Sequence, residues 1–324
     1  MNRLFLSRRL ALAFGLAFAA MAQAQTFPSK PLKLVVPFGP GGSSDVVARI
    51  VAEGAGEALG QPMLIENVPG AGGNIGTARV AKAAPDGYTL VECTIGTCAI
   101  NPSIYAQTGY DLRKDFAPVF LVGGVMNIFT VHPSMSVKSI AELVAYIKAN
   151  PGKLPVAIGA VGSSNHLTPV WFASIAGLDM LYVPFKGAGD AITALLGGQV
   201  MMFVDNEPSI LPQIKAGKAR PLAVTGPRRS VYLPEVATME ELGYKGFVVE
   251  PWYGFMVPQG TPRASVEKLN AAFNAAIRNP RIKARLEEAG LRLVGGAPGR
   301  LDEQIRGESE RWAKVVKANN VKVE

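Results

Sequence analysis

A short apolar run, a glycine-rich turn and a cluster of helix-capping residues follow one another several times along this chain, and that recurrence leaves few folds open. The first instance runs from Leu34 to Arg49. Leu34, Val35 and Val36 read as a buried strand. Gly39, Pro40, Gly41 and Gly42 break it. Ser43, Ser44 and Asp45 are residue types that cap helix N-termini, and Val46, Val47 and Ile50 then recur at helical spacing. Strands at 62–66 and 88–92 continue the series, with a second glycine loop at 67–74 and a Pro-Asp-Gly turn at 85–87 between them. The same order returns at 156–167 and at 181–190. Strand–loop–helix units in succession predict βαβ units, hence an α/β fold with mainly parallel sheets flanked by helices.

Two extended apolar runs, 116–131 and 247–257, interrupt the series. Their placement predicts two α/β lobes: the chain leaves the first, builds the second and returns. The boundaries that follow are 25–124 plus 252–324 for one lobe and 125–251 for the other, with hinge crossovers near 119–131 and 247–257. Open α/β sheets bind ligands beyond the carboxyl ends of their strands, so two such lobes point their loops into a shared cleft. The first helix start has a further property. Its first-turn N–H groups lack helical partners and the helix dipole adds partial positive charge, so an anion fits there. A side chain at Gly42 is expected to block that anion and to strain the turn. The loop alone does not decide between an anion site and a packing turn. Neither G-x-x-x-x-G-K-[ST] nor G-x-G-x-x-G is present at this turn.

Composition narrows the function classes. With 48% hydrophobic and 18% charged residues over 324 positions, the chain is globular and long enough for two domains. Arg3, Arg8 and Arg9 precede an apolar stretch from Leu10 to Ala20, and Ala22-Gln23-Ala24 follows, the layout of a signal peptide over residues 1–24 with cleavage after Ala24. Its removal leaves 30 basic against 25 acidic residues, about +5 in place of +8. The basic residues are scattered and lack interleaved aromatics, which argues against nucleic acid. Cys93 and Cys98 are the two cysteines, and in an exported protein they are a disulfide candidate, the alternative being two small reduced core residues. With only His132 and His166 besides, no metal site and no cofactor is expected.

Seven stretches together resemble one family: 36–45, 66–73, 85–90, 114–119, 162–167, 183–187 and 234–238. They are similar, in order and spacing, to the Bug receptors, the periplasmic solute-binding proteins of tripartite tricarboxylate transporters. The resemblance spans essentially the whole mature chain, and the Cys93/Cys98 pair is a departure from it. It implies a two-lobed, type II periplasmic-binding-protein fold that closes on a small organic carboxylate. It also implies that first-lobe loops hold one carboxylate largely through backbone amides. Carried over, those loops are Phe38, Gly39, Gly41, Gly42, Ser43 and Ser44, with Thr94, Gly96 and Thr97. The second lobe would supply Gly159, Ala160, Gly162, Ser163 and Ser164, then Phe185, Lys186 and Gly187, and the Asp205 region. No catalytic residue is implied.

The residues themselves agree with such a ligand. Lys186 is the only Lys or Arg in these loops, and several converging N–H groups hold a carboxylate without an arginine clamp. Asp205 ends an apolar strand and reads either as a ligand contact, accepting from a hydroxyl or ammonium, or as a turn residue. Asp45 reads as a helix-start residue, since an acid beside a bound anion repels it. His166 reads as a loop-ordering group. The expected partners are a small organic carboxylate and membrane transporter subunits, with a membrane sensor as the alternative partner and a monomer as the expected state. An exported α/β hydrolase is the third reading, opposed by the absence of G-x-S-x-G.

Overall fold

Leu34 and Val36 bury themselves on one side of the first strand and Val35 on the other. A strand covered on both faces belongs inside a sheet flanked by helices on both sides. The computed structural model describes residues 27–318, so the leader assigned to 1–24 lies outside the described residues. Strand β1 (Leu32–Val36) passes through helix α1 (Ser43–Leu59) to β2 (Met63–Asn67), and β2 through α2 (Asn74–Ala81) to β3 (Thr89–Thr94). β1 pairs parallel with both. After β3 the chain makes a π-turn over Gly96–Ile100 and a single helical turn, α3 (Asn101–Ile104), then enters β4 (Phe116–Gly124).

The second sheet follows. It is built from β5 (Asn127–Val131), α4 (Ile140–Ala149), β6 (Pro155–Ile158), α5 (Ser164–Ala176), β7 (Leu181–Pro184), α6 (Ala188–Leu196), β8 (Met202–Asn206), α7 (Glu207–Lys215) and β9 (Arg220–Val224). The chain then returns to the first sheet with β10 (Trp252–Pro258), helices α8 (Arg263–Arg278) and α9 (Pro280–Glu288), the short β11 (Arg292–Leu293) and a long last helix, α10 (Gly299–Ala318). Strand orders are β11–β4–β10–β3–β1–β2 and β7–β6–β8–β5–β9.

The two α/β lobes are as expected, but the sheets are mixed rather than mainly parallel. The βαβ units give the parallel pairs: β1 with β2 and β3, β6 with β7 and β8. Strands β4 and β5 carry the chain out of one sheet and into the other, and β10 brings it back. No crossover helix dictates their direction, and they pair antiparallel. The outward and return passages meet where the Val125 N–H donates to the Pro251 carbonyl at 2.8 Å.

Helices α1 and α8 cover one face of the first sheet. Their approach is close at Gly54, where an added Cβ would stand 3.0 Å from the Ala276 Cβ of α8 and 2.9 Å from the Ile282 Cγ1 of the following α9. Phe273 stacks there on Phe120 and leans on Phe255, with ring centroids 5.4 and 4.7 Å away. Helix α10 covers the other face, and its Trp312 meets Trp171 of the second lobe edge-on at 6.2 Å. Trp171 in turn stacks on Phe247 at 4.4 Å, so apolar packing joins the lobes behind the crossovers.

Candidate functional site

Parallel strands end at one edge of each sheet, and an antiparallel neighbour begins there. The cleft between the lobes collects both. The first lobe lines it with Phe38, Gly39, Gly42, Ser43 and Ser44 after β1, and with Thr94, Ile95 and Gly96 at the end of β3. The second lobe supplies Gly159, Ala160, Ser163, Ser164 and Asn165 after β6, Ala188 at the start of α6, and Asp205 and Asn206 at the end of β8. Pro251, Trp252 and Tyr253, the start of the returning β10, form the floor. The lobes stand close together around it, so the cleft is narrow in this structure. Among the described residues, no Lys or Arg lines it.

Six residues expected in the cleft stand outside its lining. Gly41 has φ +80° and donates its N–H to the Asp45 carboxylate at 3.1 Å. Thr97 is fully buried behind the cleft, where its Oγ1 accepts from the Thr94 N–H at 3.1 Å. Gly162 packs on Asn101 of the first lobe, whose Oδ1 lies 2.4 Å from where a Cβ would stand. Phe185 packs on the second-lobe core, Lys186 is exposed, and Gly187 meets Gly39 backbone to backbone. Gly187 therefore belongs to the rim where the lobes touch. An added Cβ would stand 3.3 Å from the Gly39 Cα at Gly187 and 2.5 Å from the Pro40 carbonyl at Gly189. On the opposite rim the Tyr105 hydroxyl donates across the gap to the Val161 carbonyl at 3.1 Å. At Gly42 the backbone is extended, φ −85°, so a side chain there strains nothing. The obstacle is instead the Ala188 Cβ, 3.2 Å from an added Cβ.

Behind the cleft a polar network ties lobe to lobe. The Ser43 hydroxyl, at the start of α1, bonds the Ser209 hydroxyl at 2.6 Å and the Asn206 carbonyl at 3.4 Å. Asn206 donates from Nδ2 to the Tyr253 hydroxyl at 2.8 Å and accepts at Oδ1 from the Ser164 hydroxyl at 3.0 Å. Asp205 is fully buried and accepts from Ser209 at 2.5 Å and from Asn165. Burial pushes its carboxyl up to about 7, opposed by those donors and by the Asn206 backbone, which favour the charged form. Asp45 is held the other way: it pairs with Arg49 at 2.8 Å and accepts from Asn67 and Gly41, which keep it below the usual carboxylate range in spite of its burial. It is thus a helix-start residue outside the lining. His166 accepts the Gly162 N–H at Nδ1, 3.2 Å away, and burial pushes it down to about 4. A neutral imidazole that holds the loop matches its expected role.

Cys93 and Cys98 are paired, with sulfurs 2.12 Å and Cα atoms 5.8 Å apart. The bridge spans Thr94, Ile95 and Gly96, three consecutive cleft residues. Sequence reasoning missed Ile95, Asn165, Ala188, Asn206, Pro251, Trp252 and Tyr253 as lining. Asn165 and Asn206 stand beside residues that were found, and an amide at a helix start and another at a strand end were the available signals. The aromatic pair read only as part of an extended crossover. Among the described residues no group of His, Cys, Asp and Glu side chains is placed to hold a metal ion, and no helix is long and apolar enough to cross a membrane.

Comparison with known proteins agrees with this geometry. Residues 47–321 match the model of the tripartite tricarboxylate transporter family receptor. BugT of Bordetella pertussis is 37% identical over 94% of this chain and 94% of its own. The solved structure of the periplasmic binding protein BugD superposes with a TM-score of 0.89 at 35% identity, covering 92% of this chain and all of the other. Two further structures are similar over nearly their whole lengths. Rpa4515 of R. palustris, solved with adipate, is 35% identical with a TM-score of 0.88 over 91% of this chain and 99% of its own. MatC of Rhodopseudomonas palustris, with bound malate, is 34% identical with a TM-score of 0.86 over 90% of this chain and 100% of its own.

Proposed function

The chain belongs to the tripartite tricarboxylate transporter receptor family, whose members are solute receptors and not enzymes, and on that premise we propose that it captures a small organic carboxylate between its lobes. In this reading the lobes comprise 25–124 with 252–324 and 125–251. The mature protein begins after Ala24, works in the periplasm as a monomer, and hands its ligand to membrane transporter subunits. One observation carries the ligand class: a cleft with no cationic side chain, in which the first turn of α1 and the Thr94–Gly96 segment present neutral donors. First-turn amides and the helix dipole favour a carboxylate there. The second lobe brings Ser163, Ser164, Asn165 and Asp205 to the other end, a set suited to a ligand hydroxyl, amino group or second carboxyl. The two R. palustris proteins were solved with adipate and malate, and both ligands are small organic carboxylates.

A thermal-shift panel of mono-, di- and tricarboxylates, with neutral sugars and amines as controls, tests this. At least one acid is expected to raise the melting temperature in proportion to the logarithm of its concentration, because it binds only the folded form. A shift by sugars or amines and by no acid would contradict the reading.

A further inference from the structure

The loop between β6 and α5 serves two places at once. Its Ala160 and Ser163 line the cleft, while its tip, Val161 and Gly162, is seated on the first lobe beside it. The loop is one tight turn. Ser163 donates to the Ala160 carbonyl from its N–H at 3.1 Å and from its hydroxyl at 2.6 Å, and the His166 ring accepts the Gly162 N–H at 3.2 Å. A turn held by its own bonds moves as a unit, so the tip goes where the cleft residues go.

The seat belongs to the first lobe: Gly72 before α2, Asn101 and Ile104 of α3, and Tyr105. A Cβ at Gly72 would stand 2.3 Å from the Val161 carbonyl oxygen, so a side chain there would fill the seat. The Tyr105 hydroxyl donates to that same oxygen at 3.1 Å, and burial raises the phenol, which therefore keeps its proton. Gly162 lies against Asn101, which is fully buried. The Asn101 Nδ2 donates within the first lobe, to the Gly72 carbonyl at 2.9 Å and the Asn74 Oδ1 at 2.7 Å. Those two bonds fix the amide and leave Oδ1 toward Gly162, with no hydrogen-bond partner among the described residues. Seating the tip thus makes one interlobe bond and covers one acceptor that has no donor. A covered, unpaired acceptor costs as much as a neutral bond of this kind contributes, or more. The seat alone does not hold the lobes shut.

We infer that Val161–Gly162 is the closing latch of this receptor, and that Tyr105 is a positioning residue that sets how long a solute is held, with Asn101 as the counterweight that keeps the latch from closing without one. The inference rests on the reading of the cleft as a solute site. A solute that spans the α1 turn and the pair Ala160 and Ser163 draws the whole loop inward, and the tip seats with it. Tyr105 stands outside the cleft lining. Its bond forms after the solute has entered and must break before the solute leaves, so it slows escape and leaves entry as it was.

Stopped-flow tryptophan fluorescence, with Trp252 of the cleft floor as reporter, separates the two rates for malate and for adipate. Tyr105→Phe is expected to release each acid about two- to tenfold faster, with the association rate and the ligand-free melting temperature unchanged. Tyr146→Phe, exposed on α4, is expected to change neither rate. Small-angle scattering is expected to give ligand-free wild type a larger radius of gyration than the saturated protein. Equal release by wild type and Tyr105→Phe overturns the latch and leaves the carboxylate reading in place. Slower association with unchanged release also overturns it, and assigns Tyr105 to the shape of the open cleft. A ligand-free radius equal to the saturated one overturns the role of Asn101. If neither acid binds but a control sugar or amine does, the carboxylate reading falls, and the same rates taken with that compound decide the latch. If nothing in the panel binds, the solute reading falls and this inference with it.

Discussion

The two walls of the cleft are made differently. The first-lobe wall is mostly backbone: two glycines, a helix start and a short turn clamped by Cys93 and Cys98. The second-lobe wall is mostly side chain, and its polar groups are already bonded to one another: Asn165 and Ser209 to Asp205, Ser164 to Asn206. Backbone amides recognise charge and shape but offer little discrimination between similar acids. A wired set of side chains accepts only a ligand that replaces or completes its bonds. On the proposed function the difference amounts to a division of labour, in which the first wall would hold a carboxylate and the second would choose which one.

The largest expected effect breaks the contact between the walls and touches neither. Gly189→Ala places a methyl 2.5 Å from the Pro40 carbonyl across the rim. Alanine suits a helix better than glycine, so the variant is expected to fold at least as stably as wild type and to lose ligand binding altogether. Calorimetry beside a melting curve checks both halves. Gly42→Val acts on the first wall itself, through the Ala188 contact and the space of the anion, and is expected to weaken binding more than tenfold with the fold intact by circular dichroism.

The bridge under the first wall is next. Denatured, unreduced protein is expected to show no titratable thiol, and Cys93→Ala with Cys98→Ala to lose about 2–3 kcal/mol of stability. The second wall is probed by pH. Folding raises Asp205 from 3.8 to about 7, so its contribution to stability is full below the lower value and is lost as pH climbs to the upper. Glu92 and Glu207, also raised by burial, slope the same way in both proteins and cancel in a difference. Asp205→Asn should therefore gain on wild type in melting temperature across that window. It should also change the ranking of acids in the panel more than it changes the tightest affinity. The smallest effect is expected from Ser43→Ala, which removes one tie to Ser209 and leaves the amides: about 0.5–2 kcal/mol of binding by calorimetry.

The first wall was legible in the sequence because its signals are local. Strand, glycines and capping serines at 34–45 specify a turn and a helix start whatever surrounds them. The second wall was only half legible for the same reason. Gly159 to Ser164 repeated the local pattern and lines the cleft, whereas Phe185 to Gly187 repeated it and became rim and core. Which of two similar loops faces the ligand depends on how the sheets pack, and no window of a few residues carries that. Trp252 and Tyr253 reach the floor only because β10 runs antiparallel beside β3, a pairing between residues far apart in the chain.

A diffraction structure of the complex with the acid that shifts melting most is the most direct test. The account predicts one ligand carboxylate within hydrogen-bond reach, about 2.7–3.2 Å, of backbone N–H groups at the first turn of α1, with its other end toward Asn165 and Asp205. A ligand whose carboxylates reach only second-lobe side chains, with the α1 turn uncontacted, would contradict it.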